Sequence, residues 1–279
     1  MGQKVKKSSN LGRTIFLSLL ALVFLAPIFI ILMNSFKGKL YISNELFSLP
    51  NAETFVGFEN YIRGIETANF WNAFGYSLFI SVCSVAVIVL LTGMTAWYIV
   101  RVNNKFTNAL YYLFIFSMIV PFQMVMYTST WTANQLSLDN PVGIILIYLG
   151  FGAGLSIFIF TGFIKSIPKE IEEAAVIDGC GPIRTFFLVV LPILKPTAVT
   201  VAILNAMWIW NDYLLPYLML GTEYKTIPIA IQYLQGSYGN TDMGALMALL
   251  VLSIIPVIIF YLVLQKHIIK SFADGSVKG

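Results

Sequence analysis

The sequence predicts an all-α polytopic membrane protein with six transmembrane helices and a cytoplasmic helix–turn–helix loop. Three observations predict it. Of 279 residues, 58% are hydrophobic and only 11% charged, and the mean hydropathy of +0.82 exceeds what a soluble core needs. Six apolar stretches reach the roughly 20 residues that a helix needs to cross a hydrocarbon layer about 30 Å thick. Between the fourth and fifth lies a charged, helix-capable segment from Ser166 to Pro192.

The elements follow in chain order. Lys4, Lys6 and Lys7 precede an apolar run that resembles a secretory signal. That run is too long and has no clear small-residue cleavage site, so it is expected to stay as the first helix, Thr14 to Asn34. The external stretch Lys37 to Asn72 mixes Pro, Gly, Asn and charge, which predicts short helices and turns without a core of their own. Further spans are expected over Phe74–Val100, Thr107–Tyr127, Val142–Ile164, Thr197–Leu220 and Met243–Leu264. The external segment Gly221 to Asp242 is polar and aromatic, with Tyr224, Gln232, Tyr233, Gln235 and Tyr238. It reads as a surface loop that a second protein could touch.

Orientation follows from the basic residues, which are retained on the cytoplasmic side. With both termini inside, Lys4, Lys6, Lys7, Arg13, Arg101, Lys105, Lys165, Lys169, Arg184, Lys195, Lys266, Lys270 and Lys278 are cytoplasmic. Lys37, Lys39, Arg63 and Lys225 are external, a split of 13 to 4 that accounts for all 17. The net charge of +4 therefore reports topology and gives no support for nucleic-acid binding. Residues 1–69 hold the N-terminal tail, the first helix and the external segment; residues 70–279 hold the other five spans.

Several chemistries find no support. Cys83 falls inside the second span and Cys180 in a cytoplasmic loop, so neither a disulfide framework nor a metal site is expected. The one histidine, His267, ends the last span, where an interfacial role suffices. Gly150, Gly152 and Gly154 follow no strand, and close helix packing through Gly150 and Gly154 explains them better than a phosphate loop. No G-x-x-x-x-G-K-[ST] segment occurs, so any ATP-driven function needs a separate subunit and a surface on which it docks.

The Ser166–Pro192 segment offers such a surface. Ser166 and Pro168 suit a helix start, and Glu170, Glu172 and Glu173 suit the positive end of its dipole. Ala174 and Ala175 permit close approach, Gly179 suits a left-handed helix stop, and Pro182 suits the first turn of a second helix. Phe186, Phe187, Val190 and Leu191 would face the bilayer boundary or neighbouring spans, and Pro192 is expected to break the segment before the fifth span. The same pattern also fits an ordinary amphipathic connection.

Glu173-Ala174-Ala175, Gly179, Val189, Leu191 and Pro192 resemble the EAA loop of binding-protein-dependent ABC importer permeases: EAA, three residues, G, nine residues, I, one residue, LP. Val189 replaces isoleucine conservatively, and Cys180 stands where alanine is common. Ser166–Glu170 (SIPKE), Trp210–Tyr213 (WNDY) and Phe272–Gly279 (FADGSVKG) look like sugar permeases of the maltose-transporter type, a resemblance running from about Phe70 to the C-terminus.

The resemblance implies that residues 70–279 form a permease domain in a prokaryotic inner (cell) membrane. It implies a cytoplasmic ATPase subunit dimer, a second permease subunit completing a heterodimer, an extracellular solute-binding protein and a sugar or oligosaccharide substrate. ATP and Mg would bind the ATPase, with no cofactor on this chain and no catalytic residue. The ATPase-coupling residues would be Glu173, Ala174, Ala175, Asp178, Gly179, Leu191 and Pro192. Glu173 would be a polar contact, the alanines a close-packed face, and Gly179 the turn between the two short helices.

Asn205, Trp208 and Asp212 are spaced i, i+3, i+7 along the fifth span, with Asn211 and Tyr213 beside them. Ionised Asp near a bilayer centre costs about 2.5–3.5 kcal/mol on insertion scales, so Asp212 should face protein or a wet cavity. Aromatic faces and amide or carboxylate groups suit sugar rings and hydroxyls, which with Gln123 gives a candidate substrate pathway. Interhelical packing would explain the same residues. With one acidic and no deep basic residue in the spans, a neutral sugar fits better than an anion. A self-sufficient secondary transporter or channel using Asp212 as an ion or proton site is the competing reading.

Overall fold

The computed structural model describes residues 11–234 and 241–276, with side chains as far as Gln265. Lys4, Lys6, Lys7, Gln235, Tyr238 and Lys278 lie outside the described residues, as do the side chains of Lys266, His267, Lys270 and the FADGSVKG tail. The described residues are helical apart from turns and one isolated bridge between Lys37 and Phe55. Among them, five helices are long and apolar enough to cross a membrane, and a bent helix pair makes a sixth candidate.

The chain divides into two compact units. One comprises Met1–Phe70 and Ile231–Pro256. It holds α1 (Leu11–Asn34), α2 (Lys39–Asn44), α3 (Glu59–Thr67) and α13 (Met243–Ser276) as far as Pro256. The segment after α1 folds as the expected short helices, and it is tied together by buried polar groups. Asn60, fully buried, donates to the carbonyls of Ser35 and Lys37 at 2.8 Å each. The buried Lys37 ammonium donates to the Glu45 carbonyl at 2.7 Å and to Ser48 Oγ at 3.1 Å, and burial lowers its pKa against the opposing pull of Glu45. Phe36 packs among Phe55, Phe58 and Tyr61. Arg63 pairs with Asp242 and reaches Asn60 Oδ1 at 2.7 Å, joining α3 to the start of α13.

The other unit comprises Trp71–Ala230 and Val257–Gly279. It is built around α7 (Gly143–Ile164), of which Tyr148, Ile157, Phe160 and Ile164 are fully buried or nearly so. Around it lie α4 (Phe70–Val102), α5 (Lys105–Ser117), α6 (Phe122–Gln135) and α10 (Leu191–Asn211). Small residues on α7 permit the approach. A Cβ on Gly154 would come within 2.7 Å of the Phe114 carbonyl on α5, and one on Gly152 within 2.8 Å of Asn205 Oδ1 and Ile88 Cδ1. Gly150, expected to share this role, instead faces open space. It borders a cleft of about 710 Å³ together with Phe114, Ser117, Thr128 and Phe151.

Two expected spans are corrected. Thr107–Tyr127 is not one helix: α5 ends at Ser117 and α6 begins at Phe122, with the two bent by 108°. Pro121 supplies the reason, because it has no N–H to give to the helix and biases Val120 away from helical geometry. Thr197–Leu220 is likewise interrupted. The helix ends at Asn211, Asp212 is extended at φ −75° and ψ 123°, and α11 restarts over Leu214–Leu220. At its other end this span is longer than expected, running as continuous helix from Pro182 to Asn211.

Pro192 therefore does not break the segment. A π-helical turn over Phe186–Val190 precedes it, with the Leu191 N–H bonded five residues back to the Phe186 carbonyl. This wider turn accommodates a ring that would collide with the carbonyl four residues earlier in a regular α-helix.

Two outcomes follow from these contacts. Gly154→Ala should lower stability in detergent by about 1–3 kcal/mol through overpacking, whereas Gly150→Ala should be neutral or slightly stabilising; thermal unfolding midpoints distinguish them. Burial works to raise the Asp242 pKa, but the Ala245 N–H and the Arg63 guanidinium outweigh it and hold the carboxyl below its usual value. A depressed carboxyl pKa stabilises the fold above the unfolded value near 4 and loses that contribution as pH falls through the folded one. Asp242→Asn should therefore lower the neutral-pH midpoint and flatten its acid dependence below about pH 4.

Candidate functional site

The loop after α7 forms a helix–turn–helix. α8 (Lys169–Ile177) starts after Pro168 and carries Glu170 and Glu172 in its first turn. Ser166 does not cap it, donating instead to the Phe163 carbonyl at 2.7 Å. The helix ends on Gly179 at φ +84°, in the left-handed region where a side chain is strained. The Cys180 N–H reaches the Ala175 carbonyl at 2.9 Å and the Gly179 N–H reaches Val176 at 3.0 Å. That is the double closure of a Schellman stop, and it satisfies carbonyls the helix end would otherwise strand. Pro182 then opens α9 (Pro182–Thr185), which continues through the π turn into α10.

The loop has two faces. Glu173, Ala174, Asp178 and Gly179 are exposed, flanked by the apolar side chains of Val176, Ile177 and Ile183 at 61%, 85% and 69% exposure. Ala175 turns inward at 8%, Leu191 is half-buried, and Pro192 is exposed. An apolar surface with a carboxylate at its edge, carried on a capped helix, is suited to insertion into a cleft of a second protein.

The inward face reveals residues that sequence reasoning did not single out. Glu172 accepts from both Nε and Nη2 of Arg101 and from the Trp97 indole N–H. Arg101 was visible only as a basic residue at a cytoplasmic helix end, and Glu172 only as part of an acidic first turn. Their pairing spans 71 positions, and no local pattern announces it.

The second candidate region lies where α10 ends. Asn205 and Trp208 are one helical turn apart, but Asp212 stands beyond the last turn, so the three do not form one continuous helical face. Asp212 Oδ1 accepts from the N–H groups of Leu214 and Leu215 at 3.1 and 3.3 Å, which starts α11. Its Oδ2 accepts from the Tyr148 hydroxyl at 3.2 Å, and the Tyr148 ring meets Trp208 edge-to-face at 5.4 Å. Tyr148 is a further residue missed in the sequence, where it reads as one more aromatic in an apolar span.

Asn205 is 4% exposed and donates to Ser156 Oγ and the Val201 carbonyl, so its amide bridges α10 and α7. Asn211 is exposed and donates to the Met207 carbonyl. Tyr213 stacks on Tyr217 at 5.2 Å, and Gln123 is exposed at the start of α6. The structure thus joins Asp212 to Trp208 through Tyr148 and assigns Asn205 to helix packing.

Comparison with known proteins places this architecture. The family of binding-protein-dependent transport system inner membrane components matches residues 88–274. The probable starch degradation products transport system permease protein AmyC of Thermoanaerobacterium thermosulfurigenes is 37% identical over 93% of both chains. The multiple sugar-binding transport system permease protein MsmG of Streptococcus mutans serotype c is 34% identical, covering 99% of this chain and 100% of the relative. In fold, the chain matches a crystal structure of a bacterial ABC transporter involved in import of the acidic polysaccharide alginate, with a TM-score of 0.77 at 24% identity over 95% of this chain and 98% of that one. A family match across two-thirds of the sequence, covering the loop and the spans from the middle of α4 onward, means that this chain belongs to the inner membrane components of binding-protein-dependent transport systems and is a multi-pass membrane permease.

Proposed function

We propose that this chain is one of two permease subunits of an ATP-driven importer of neutral sugars or oligosaccharides. The observation that carries the proposal is the helix–turn–helix after α7, whose outward face combines Glu173, Ala174 and exposed apolar side chains on a helix closed at Gly179. In this reading a cytoplasmic ATPase dimer, holding ATP and Mg, receives the loop in a cleft. Glu173 makes the polar contact, Asp178 and Gly179 set the turn, and Leu191 and Pro192 lead the second arm into α10. Relatives named for starch degradation products and multiple sugars support a carbohydrate cargo. An extracellular binding protein delivers it, and a second permease completes the pathway in a prokaryotic cell membrane. Both termini are cytoplasmic, consistent with the 13-to-4 basic split.

The cluster at the end of α10 is the proposed substrate pathway. Trp208, 39% exposed, offers an apolar face beside the Asp212 carboxylate, and Asn211, Tyr213 and Gln123 add groups able to exchange hydrogen bonds with hydroxyls. Asn205 acts behind them by holding α10 against α7. A self-sufficient carrier built on Asp212 receives no support from a family whose members are components of binding-protein-dependent systems. Asp212 also already has a structural task in starting α11.

Copurification tests the reading. The chain, tagged at its native locus and extracted in mild detergent, should bring down an ATPase subunit and a second permease. Recovery of the chain alone, with uptake retained after reconstitution without any ATPase, would sink the importer.

Gly179→Asp tests the loop. The φ of +84° penalises any side chain by roughly 1–2 kcal/mol, although no atom lies within 4 Å of the new Cβ. Shifting a two-state gate from 1:99 to 99:1 takes about 5.5 kcal/mol of differential binding, so a distorted joint should not transmit it. The variant should reach the membrane in normal amount and fail to take up substrate, measured with radiolabelled sugar against immunoblotted protein.

A further inference from the structure

Glu172 and Glu173 are neighbours on α8 that face different surroundings. Glu173 is exposed, whereas the Glu172 side chain retains 11% exposure and is enclosed by the last turns of α4. Its Oε1 accepts from Arg101 Nη2 at 2.6 Å and Nε at 2.9 Å; its Oε2 accepts from Trp97 Nε1 at 2.9 Å. Arg101 Nη2 also donates to the Ile167 carbonyl at 3.1 Å, just before Pro168 and the start of α8. Trp97 and Arg101 are four apart and so share one face of α4. The Trp97 ring packs on Phe186, the first residue of the π turn, at 5.8 Å. One face of α4 therefore grips both arms of the loop: the first through a forked ion pair and an indole hydrogen bond, the second through ring packing.

We propose that Trp97, Arg101 and Glu172 form a clamp that makes the loop and the end of α4 move as one body, so that a displacement of the loop is delivered to α4 as well as to α10. The inference rests on the coupling role proposed for the loop. Covalently, α8 continues from α7 and leads through Gly179 into α9 and α10, while nothing in the chain path ties it to α4. Without the clamp, α8 keeps its packing on α9 and the π turn but loses its tie to α4, so it can turn with the second arm on the residues before Pro168. A planar guanidinium held at two nitrogens resists such rotation better than a point charge does. Screening by solvent is slight, because Arg101 and Glu172 side chains are only 16% and 11% exposed. These are positioning residues: Glu173 and the apolar face meet the partner, and Glu172 fixes the angle at which they are presented.

The test uses the full assembly, purified with its ATPase and second permease and reconstituted into liposomes, with hydrolysis and uptake measured together. Glu172→Gln preserves shape and the indole contact while removing the charge. It should leave the ATPase bound and hydrolysing but lower sugar imported per ATP by about tenfold, the effect of losing a charge-assisted bond on a two-state equilibrium. Trp97→Phe keeps the ring on Phe186 and should fall between this variant and wild type.

A second measurement replaces Arg101 and Glu172 by cysteine in a Cys83→Ser, Cys180→Ser background. Import per ATP should be low in the reduced double variant and recover when a flexible bifunctional thiol reagent bridges the two positions. A purely structural contact predicts no such recovery. Wild-type import per ATP in Glu172→Gln overturns the clamp while leaving the importer reading intact, and so does a bridged variant that hydrolyses ATP but no longer transports. Failure of wild-type protein to bring down any ATPase removes the importer reading first, and the clamp with it.

Discussion

Helices inside a bilayer gain nothing from excluding water from one another, so their association depends on how closely their backbones and side chains can approach. In the larger unit that constraint falls on α7. Gly152 and Gly154 lie where α4, α10 and α5 come too near to admit a side chain. Ser156 Oγ then accepts from the Asn205 amide, and the Tyr148 hydroxyl donates to Asp212. Four positions on one helix thus set the spacing of three neighbours and hold the C-terminal part of α10. The candidate pathway residues inherit their positions from that arrangement.

The second organising feature is how the chain breaks its helices. Hydrocarbon supplies no partner for freed backbone groups, so each interruption has to bring one. At Asp212 the carboxylate takes the N–H groups of Leu214 and Leu215. Outside the spans, at Gly179, the reversed turn likewise returns two N–H groups to the helix it closes. Before Pro192 the helix widens by one residue and avoids a break altogether. The bend at Pro121 carries no such repair in its own side chain, and it borders the cleft beside α7. Breaks at Asp212 and Pro121 both fall beside the proposed pathway residues, as expected where irregular backbone lines a cavity.

A helix advances about 100° per residue, so adjacent residues on α8 can serve opposite purposes. Glu172 and Ala175 turn toward their own chain, and Glu173, Ala174 and Val176 turn away. The loop needs both: a surface for another protein is useful only if the helix presenting it is fixed. The continuous helix from Pro182 to Asn211 extends that logic, because it joins the second arm of the loop directly to the Trp208 and Asp212 cluster without a flexible connection.

Much of this was legible in the sequence. Composition, span lengths and the acidic, alanine and glycine spacing around Glu173 prescribe a helical membrane protein with a closed loop helix, because hydropathy and helix-stop chemistry are local properties. The proline at position 121 announced a break only to the extent that its ring is read against the expected span, and Asp212 looked like part of a helix face because periodicity carries no information about where a helix ends. Partners far apart in the chain were not legible at all. Whether Gly150 or Gly152 is the close contact, whether Asn205 faces a cavity or Ser156, and which charge meets Arg101 depend on how α4, α7, α8 and α10 are placed against one another. A charge or a glycine carries its chemistry in the sequence, but its partner exists only after packing has brought distant helices within the few ångströms over which hydrogen bonds and steric contact act.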